Sequence, residues 1–184
     1  MVQHLATSLD WAAPVVPGQS MMGLSLGLSY AEVLAALYAH RVDDVASTCI
    51  RFANSPLLIV DAPDHDGIIL RGSDVRVVNY PWQNVLATLA FRDQCLTNIL
   101  MRNCLQHEEL HYLGRLHGDV GMGSRVADLL KYGVFEYDEA EEWFYPVSGP
   151  IGLLVAGGEA CSLEEAPDQT ICTLHILSPA DLHP

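Results

Sequence analysis

The chain has 184 residues, 50% of them apolar and 17% charged. It is long enough to bury a core without covalent staples and too apolar for a disordered segment. Against 23 Asp and Glu it sets 9 Lys and Arg, with Lys131 the sole lysine, for a net charge of −14. Such a surface repels phosphate backbones and anionic lipid, so nucleic acid and membrane are excluded as expected ligands and a basic protein is the natural partner.

Five cysteines, Cys49, Cys95, Cys104, Cys161 and Cys172, form no C-x-x-C pair. An odd set without metal-ligand spacing suits core thiols in a reducing compartment. The opening MVQHLATSLDWAAPVVPGQS lacks a basic start and a sustained apolar stretch, and no later apolar run approaches bilayer length. The expectation is a cytoplasmic protein.

In chain order, residues 1–20 contain Pro14, Pro17 and Gly18 and no period, which predicts an extended arm. A short alternating stretch from Leu24 feeds a helix ending near Tyr38, with Ser29 as N-cap and Glu32 three residues on, the spacing of a capping box. CIRF at 49–52, LLIVD at 57–61, IILR at 68–71 and VRVVN at 75–79 read as strands of a meander, with Asp61, Asp64 and Asp66 as turn residues. VLATLAF at 85–91 and LTNILMR at 96–102 predict another strand pair around Arg92-Asp93-Gln94-Cys95.

Residues 24–34 align without gaps with residues 120–130: apolar, small, apolar, Gly, two variable positions, apolar, Ala, acid, apolar, apolar. In both, the glycine sits where the chain turns sharply into a helix. VFEY at 134–137, EWFY at 142–145, IGLLVA at 151–156 and ICTLHIL at 171–177 then predict further strands. The expected fold is therefore α+β, with two related modules, each a helix packed on a small antiparallel sheet: an arm over 1–20, a first module over 21–105 and a second over 112–184.

Pro17-Gly18-Gln19-Ser20, GLSLGLSYAEVLAAL, Ser55 to Val60 and Asp66 to Leu70 resemble the opening of the phagophore-associated autophagy-factor family and its bacterial look-alikes, and Tyr112 to Pro146 resembles their second module. That family is built from modules similar to BamE and the β-lactamase-inhibitor protein. The resemblance implies a binding scaffold, and by analogy with bacterial proteins of this kind an immunity partner of a secreted toxin. The candidate recognition patch is Asp138, Glu139, Glu141 and Glu142 with Trp143 and Tyr145, acids to steer a basic partner beside aromatics to anchor it. This reading needs no catalytic residue and no cofactor.

A competing motif is HEELHYLGRLH at 107–117, which satisfies H-E-x-x-H-x-x-G-x-x-H and resembles the zinc site of metzincin proteases. On a helix His107 and His111 would share a face, Glu108 would serve as base on a zinc-bound water, and a turn at Gly114 would bring in His117. Against it, no methionine follows Met122 to form the turn beneath the metal. The third histidine also abuts the repeated segment, so strand and helix compete for the same residues. A third reading is an assembly or scaffold protein. His40, His65 and His175 stand apart from one another in the sequence.

Overall fold

The computed structural model describes residues 8–42, 48–64, 66–73, 82–104 and 110–178, with side chains omitted at 62–64. The predicted strand at 75–79 and the acids Asp43 and Asp44 lie outside the described residues.

Two short strands, β1 (Ser20–Met21) and β2 (Leu24–Ser25), form a small hairpin ahead of helix α1 (Tyr30–Tyr38). The helix starts where the sequence placed it. Ser29 accepts from the Glu32 backbone N–H and the Glu32 carboxylate accepts from the Ser29 backbone N–H, a closed capping box. Tyr30, Val33 and Leu37 are its buried side. There follow β3 (Cys49–Ile50), β4 (Leu58–Asp64), β5 (Gly67–Gly72), β6 (Val85–Arg92) and β7 (Cys95–Arg102). Asp93 and Gln94 both take positive φ, 51° and 64°. Two such residues give the two-residue loop whose twist matches that of a strand pair.

The second half repeats the order: a small hairpin β8 (Arg115–Leu116) and β9 (Val120–Gly121), a 3-10 helix Val126–Lys131, then β10 (Phe135–Asp138), β11 (Trp143–Pro146), β12 (Leu153–Gly157) and β13 (Ile171–Leu177).

The expectation of α+β architecture, two modules each with a helix on its own small sheet, is corrected here. The main strands of both halves form one nine-stranded antiparallel sheet in the order β10-β11-β12-β13-β7-β6-β5-β4-β3, and the described chain is mainly β. The cause is that the last strand of each half finds the other. β7 pairs with β13 over Asn98–Arg102, so neither sheet ends at the boundary expected from sequence. One hydrophobic cluster runs from Leu9 to Ile176 through both halves. The second helix shrinks to six residues because its N-cap is Arg125, which makes no side-chain cap. Its guanidinium instead pairs with the Asp128 carboxylate at 3.2 Å, the position from which Glu32 completes the first cap.

The aligned segments nevertheless perform matching tasks. Gly27 and Gly123 take φ of 88° and 79°. The Gly27 N–H donates to Leu96 O at 2.8 Å and the Gly123 N–H to Ile171 O at 2.9 Å; Leu96 N–H returns to Leu28 O, and Ile171 N–H to Ser124 O, both at 2.8 Å. Pairing of β7 with β13 obeys the same correspondence. Arg102 faces Thr173, Asn98 faces Leu177, and the self-related pair at the centre is Leu100 with His175. The register has two-fold symmetry about that pair.

Residues 8–19, read from sequence as an arm, place Leu9, Trp11 and Val15 in the core. The Trp11 ring lies 6.0 Å from Phe52 and 5.8 Å from Tyr112, and its indole N–H donates to His111 O at 2.9 Å. This segment thus ties the first half to the second.

Replacing Ser29 with Ala removes one arm of the capping box, and the expected loss is about 1 kcal/mol of stability in urea denaturation. Arg125→Ala, at the N-cap of the second helix, where no side chain caps, should lose less; equal losses would argue against the cap's role.

Candidate partner-binding surface

Side chains alternate along the strands, so Phe144 and Leu153, Val155, Leu174 and Ile176 face the core while their neighbours line the opposite face. Across that second face runs one row of residues paired in register: Asp61, Ile69, Thr88, Leu100, His175 and Leu154. Tyr145 and Glu136, paired with each other, continue on β11 and β10.

The β10–β11 hairpin forms one margin of the sheet and carries the whole predicted patch. Glu136, Glu139, Glu141 and Glu142 are exposed, and Asp138, Trp143 and Tyr145 are half-buried. Asp138 pairs in register with Trp143 and Glu136 with Tyr145, so acids and aromatics alternate across one ladder. The Tyr145 hydroxyl donates to Glu136 at 2.8 Å. The Asp138 carboxylate accepts from the Ala140 backbone at 2.8 Å and the Glu141 backbone at 3.3 Å, which shapes the turn, and Glu142 closes it with φ of 61°. Among the described residues none of Glu136, Asp138, Glu139, Glu141 and Glu142 has a basic partner within ion-pair distance.

A second acidic group meets the first in space. Gln169 is buried, and its amide donates to Cys161 O at 3.0 Å and to Ser162 O at 3.4 Å, fixing the loop after β12. Its side-chain oxygen occupies the volume a side chain at Gly157 would fill, 1.8 Å from the Cβ position. The loop so held brings Glu159 and Glu165 to Cys161 and Glu165 to Tyr137, whose other acidic neighbours are Glu142 and Glu139. Burial first, then these carboxylates, holds the Tyr137 phenol above its ordinary range; the Cys161 thiol is raised by burial first, then by Glu165 and Glu159. Burial is the larger cause in both, and the carboxylate part of each marks a region of negative potential.

The sequence treats His175 as isolated, but the sheet places its ring 5.7 Å from Trp143, next to Leu100 and Leu154 on the row described above. Its buried Nε2 has no hydrogen-bond partner among the described residues, and burial pushes its pKa down to about 4. No local pattern announces this: the ring's neighbours come from β7, β11 and β12.

Of the protease-like motif, His107 and Glu108 lie outside the described residues. His111 and His117 stand on either side of strand β8, His117 in the β8–β9 turn with φ of 49° and its ring 4.7 Å from Tyr132. Gly114 is explained by packing: a Cβ there would lie 2.1 Å from Ala13 O and 2.4 Å from the Tyr112 ring. Beside His117, Asp119 accepts from Lys131 and from the Tyr132 hydroxyl, so the sole lysine is engaged within the chain. Among the described residues no group of three or more His, Cys, Asp or Glu could hold a metal ion, and no helix is long and apolar enough to cross a membrane.

No family model matches the chain, nor does any curated protein or any solved structure.

Two outcomes follow for stability. Gly114→Ala must displace backbone and an aromatic ring, and should cost several kcal/mol in chemical denaturation; a loss below about 0.5 kcal/mol would contradict the packing. His175, with its folded-state pKa below the unfolded value of 6.5, contributes stability that is full above pH 6.5 and lost as pH falls toward 4. His175→Leu should therefore flatten the acid limb between pH 6.5 and 4, by on the order of 2–3 kcal/mol relative to wild type.

Proposed function

We propose that this is a non-enzymatic binding protein, an immunity protein that occludes a basic toxin domain of the nuclease kind. The observation that carries the reading is the approach of two acidic groups, Glu139 and Glu142 of the β10–β11 turn and Glu159 and Glu165 of the loop after β12, to Tyr137 and Cys161. No basic residue pairs with the hairpin acids among the described residues. An uncompensated acidic region on an open margin raises the local concentration of a cationic protein and accelerates its encounter. A nuclease must present a positive surface to bind phosphate, so carboxylates held in a rigid ladder compete for the same surface.

Affinity would come from fewer groups: Trp143 and Tyr145 supply aromatic area, and Glu136 and Asp138 face them across the ladder. The five thiols are all free, which agrees with a cytoplasmic site of action for an immunity protein.

Calorimetric titration with the purified product of the adjacent gene tests the proposal. Tight binding that weakens steeply between 50 and 300 mM salt is expected, together with loss of that protein's toxicity on co-expression. The triple variant E139K/E141K/E142K should weaken binding at least tenfold, mainly through a slower association rate. Absence of any complex would remove the toxin reading.

A further inference from the structure

The structure's exposed apolar residues are unevenly placed. Among the described residues the large exposed apolar side chains are Trp82, Leu113, Leu130, Val134, Val147 and Ile151, and four of these six fall between 130 and 151, flanking β10 and β11. Those four expose 38–55% of their surface. Scattered single residues of this kind are ordinary; a contiguous group marks a contact surface.

The backbone sets Val134 and Val147 side by side, with Leu130 and Ile151 in the segments that flank them. The Val147 N–H donates to Val134 O at 2.8 Å, as does Ser148 N–H at 3.3 Å, and the Val134 N–H donates to Ser148 Oγ at 3.1 Å. Gly133 and Gly149 pack so closely that a side chain on either would strike the other's strand: a Cβ on Gly133 would lie 2.0 Å from Ser148 O, and one on Gly149 would lie 2.2 Å from Tyr132 O. Ile151 follows directly, its N–H donating to Gly149 O at 2.8 Å, and Leu130 lies in the helix that leads into this junction. The apolar patch therefore sits at the base of the hairpin, and the acids Asp138 to Glu142 sit at its tip.

From Val134 to Asp138 the distance along the strand is ~14 Å. A partner contributing about 800 Å² to an interface covers both ends at once. β10 is also the outermost strand of the sheet, so its free edge joins the two regions.

We propose that the margin formed by β10 and β11 is one continuous docking surface for a basic protein, which places cationic groups at the acidic tip and apolar groups on Leu130, Val134, Val147 and Ile151. This rests on the basic-partner reading and adds the apolar half of the contact. Acids at one end supply steering, and the apolar base supplies the desolvated area that slows dissociation.

The test uses the full chain and the product of the adjacent gene. V134S/V147S should raise Kd at least tenfold through faster dissociation, while Leu113→Ser, at an exposed apolar site outside this margin, leaves Kd within twofold. Circular dichroism and thermal melting check folding. Amide hydrogen exchange of the wild-type complex supplies a variant-free measurement, with slowed exchange expected at 130–138 and 143–151. If E139K/E141K/E142K weakens binding but V134S/V147S does not, and the base is not protected, this proposal is overturned while the immunity reading stands. If no complex forms, both fall.

Discussion

The antiparallel ladder between β7 and β13 is the contact on which the rest of the structure depends. Each half of the chain ends its meander in a strand with one unpaired edge, and an unpaired edge is a row of unmet backbone donors and acceptors. Pairing Asn98–Arg102 with Thr173–Leu177 satisfies both rows and makes one sheet. It also joins the two hydrophobic faces, so that Ile99, Met101, Leu174 and Ile176 lie at the centre of one core instead of at the margins of two. Small sheets bury proportionately less surface than large ones, which favours fusion.

Much of the local structure was legible because local chemistry decides it. The Ser29–Glu32 box, the turn within Arg92 to Cys95 and the strands read at 57–61, 68–71, 85–91, 96–102 and 171–177 follow from capping, turn and period-two rules, although β4 runs on through Asp64, a residue the sequence assigns to a turn. The aligned segments 24–34 and 120–130 could be matched by eye because Gly27 and Gly123 meet the same backbone demand. What could not be read was which strand β7 would choose. Strands β12 and β13 have the same apolar alternation whether the sheet ends between the halves or continues, so the nine-stranded sheet has no signature in any one window of sequence.

The site divides along the same line. The acids and aromatics at 138–145 are adjacent in the chain, and their alternation on a hairpin follows from strand geometry. Their convergence with Glu159 and Glu165 depends on Gln169, a polar residue that reads as part of a loop and becomes visible only as a buried amide wedged against Gly157. Likewise the glycine at 114 fits a metal-site motif in sequence and a tight packing contact with Ala13 and Tyr112 in space. A motif match states residue types and spacing; it does not state what each residue touches.

The outermost strand has a further consequence for how the protein behaves in company with its own copies. A wide sheet must keep its two margins from pairing with those of neighbouring molecules. At one margin β3 is only two residues long, too short to template a ladder. At the other, β10 carries Glu136 and Asp138 and is followed by three more acids within the turn, so two copies brought edge to edge would set carboxylate against carboxylate. The repulsion is selective by sign: the same edge that refuses another copy of this chain leaves room for a cationic strand or loop. Under the proposed function, resistance to self-pairing and partner choice share one set of side chains, and an alteration that neutralises them for the sake of one is felt in the other.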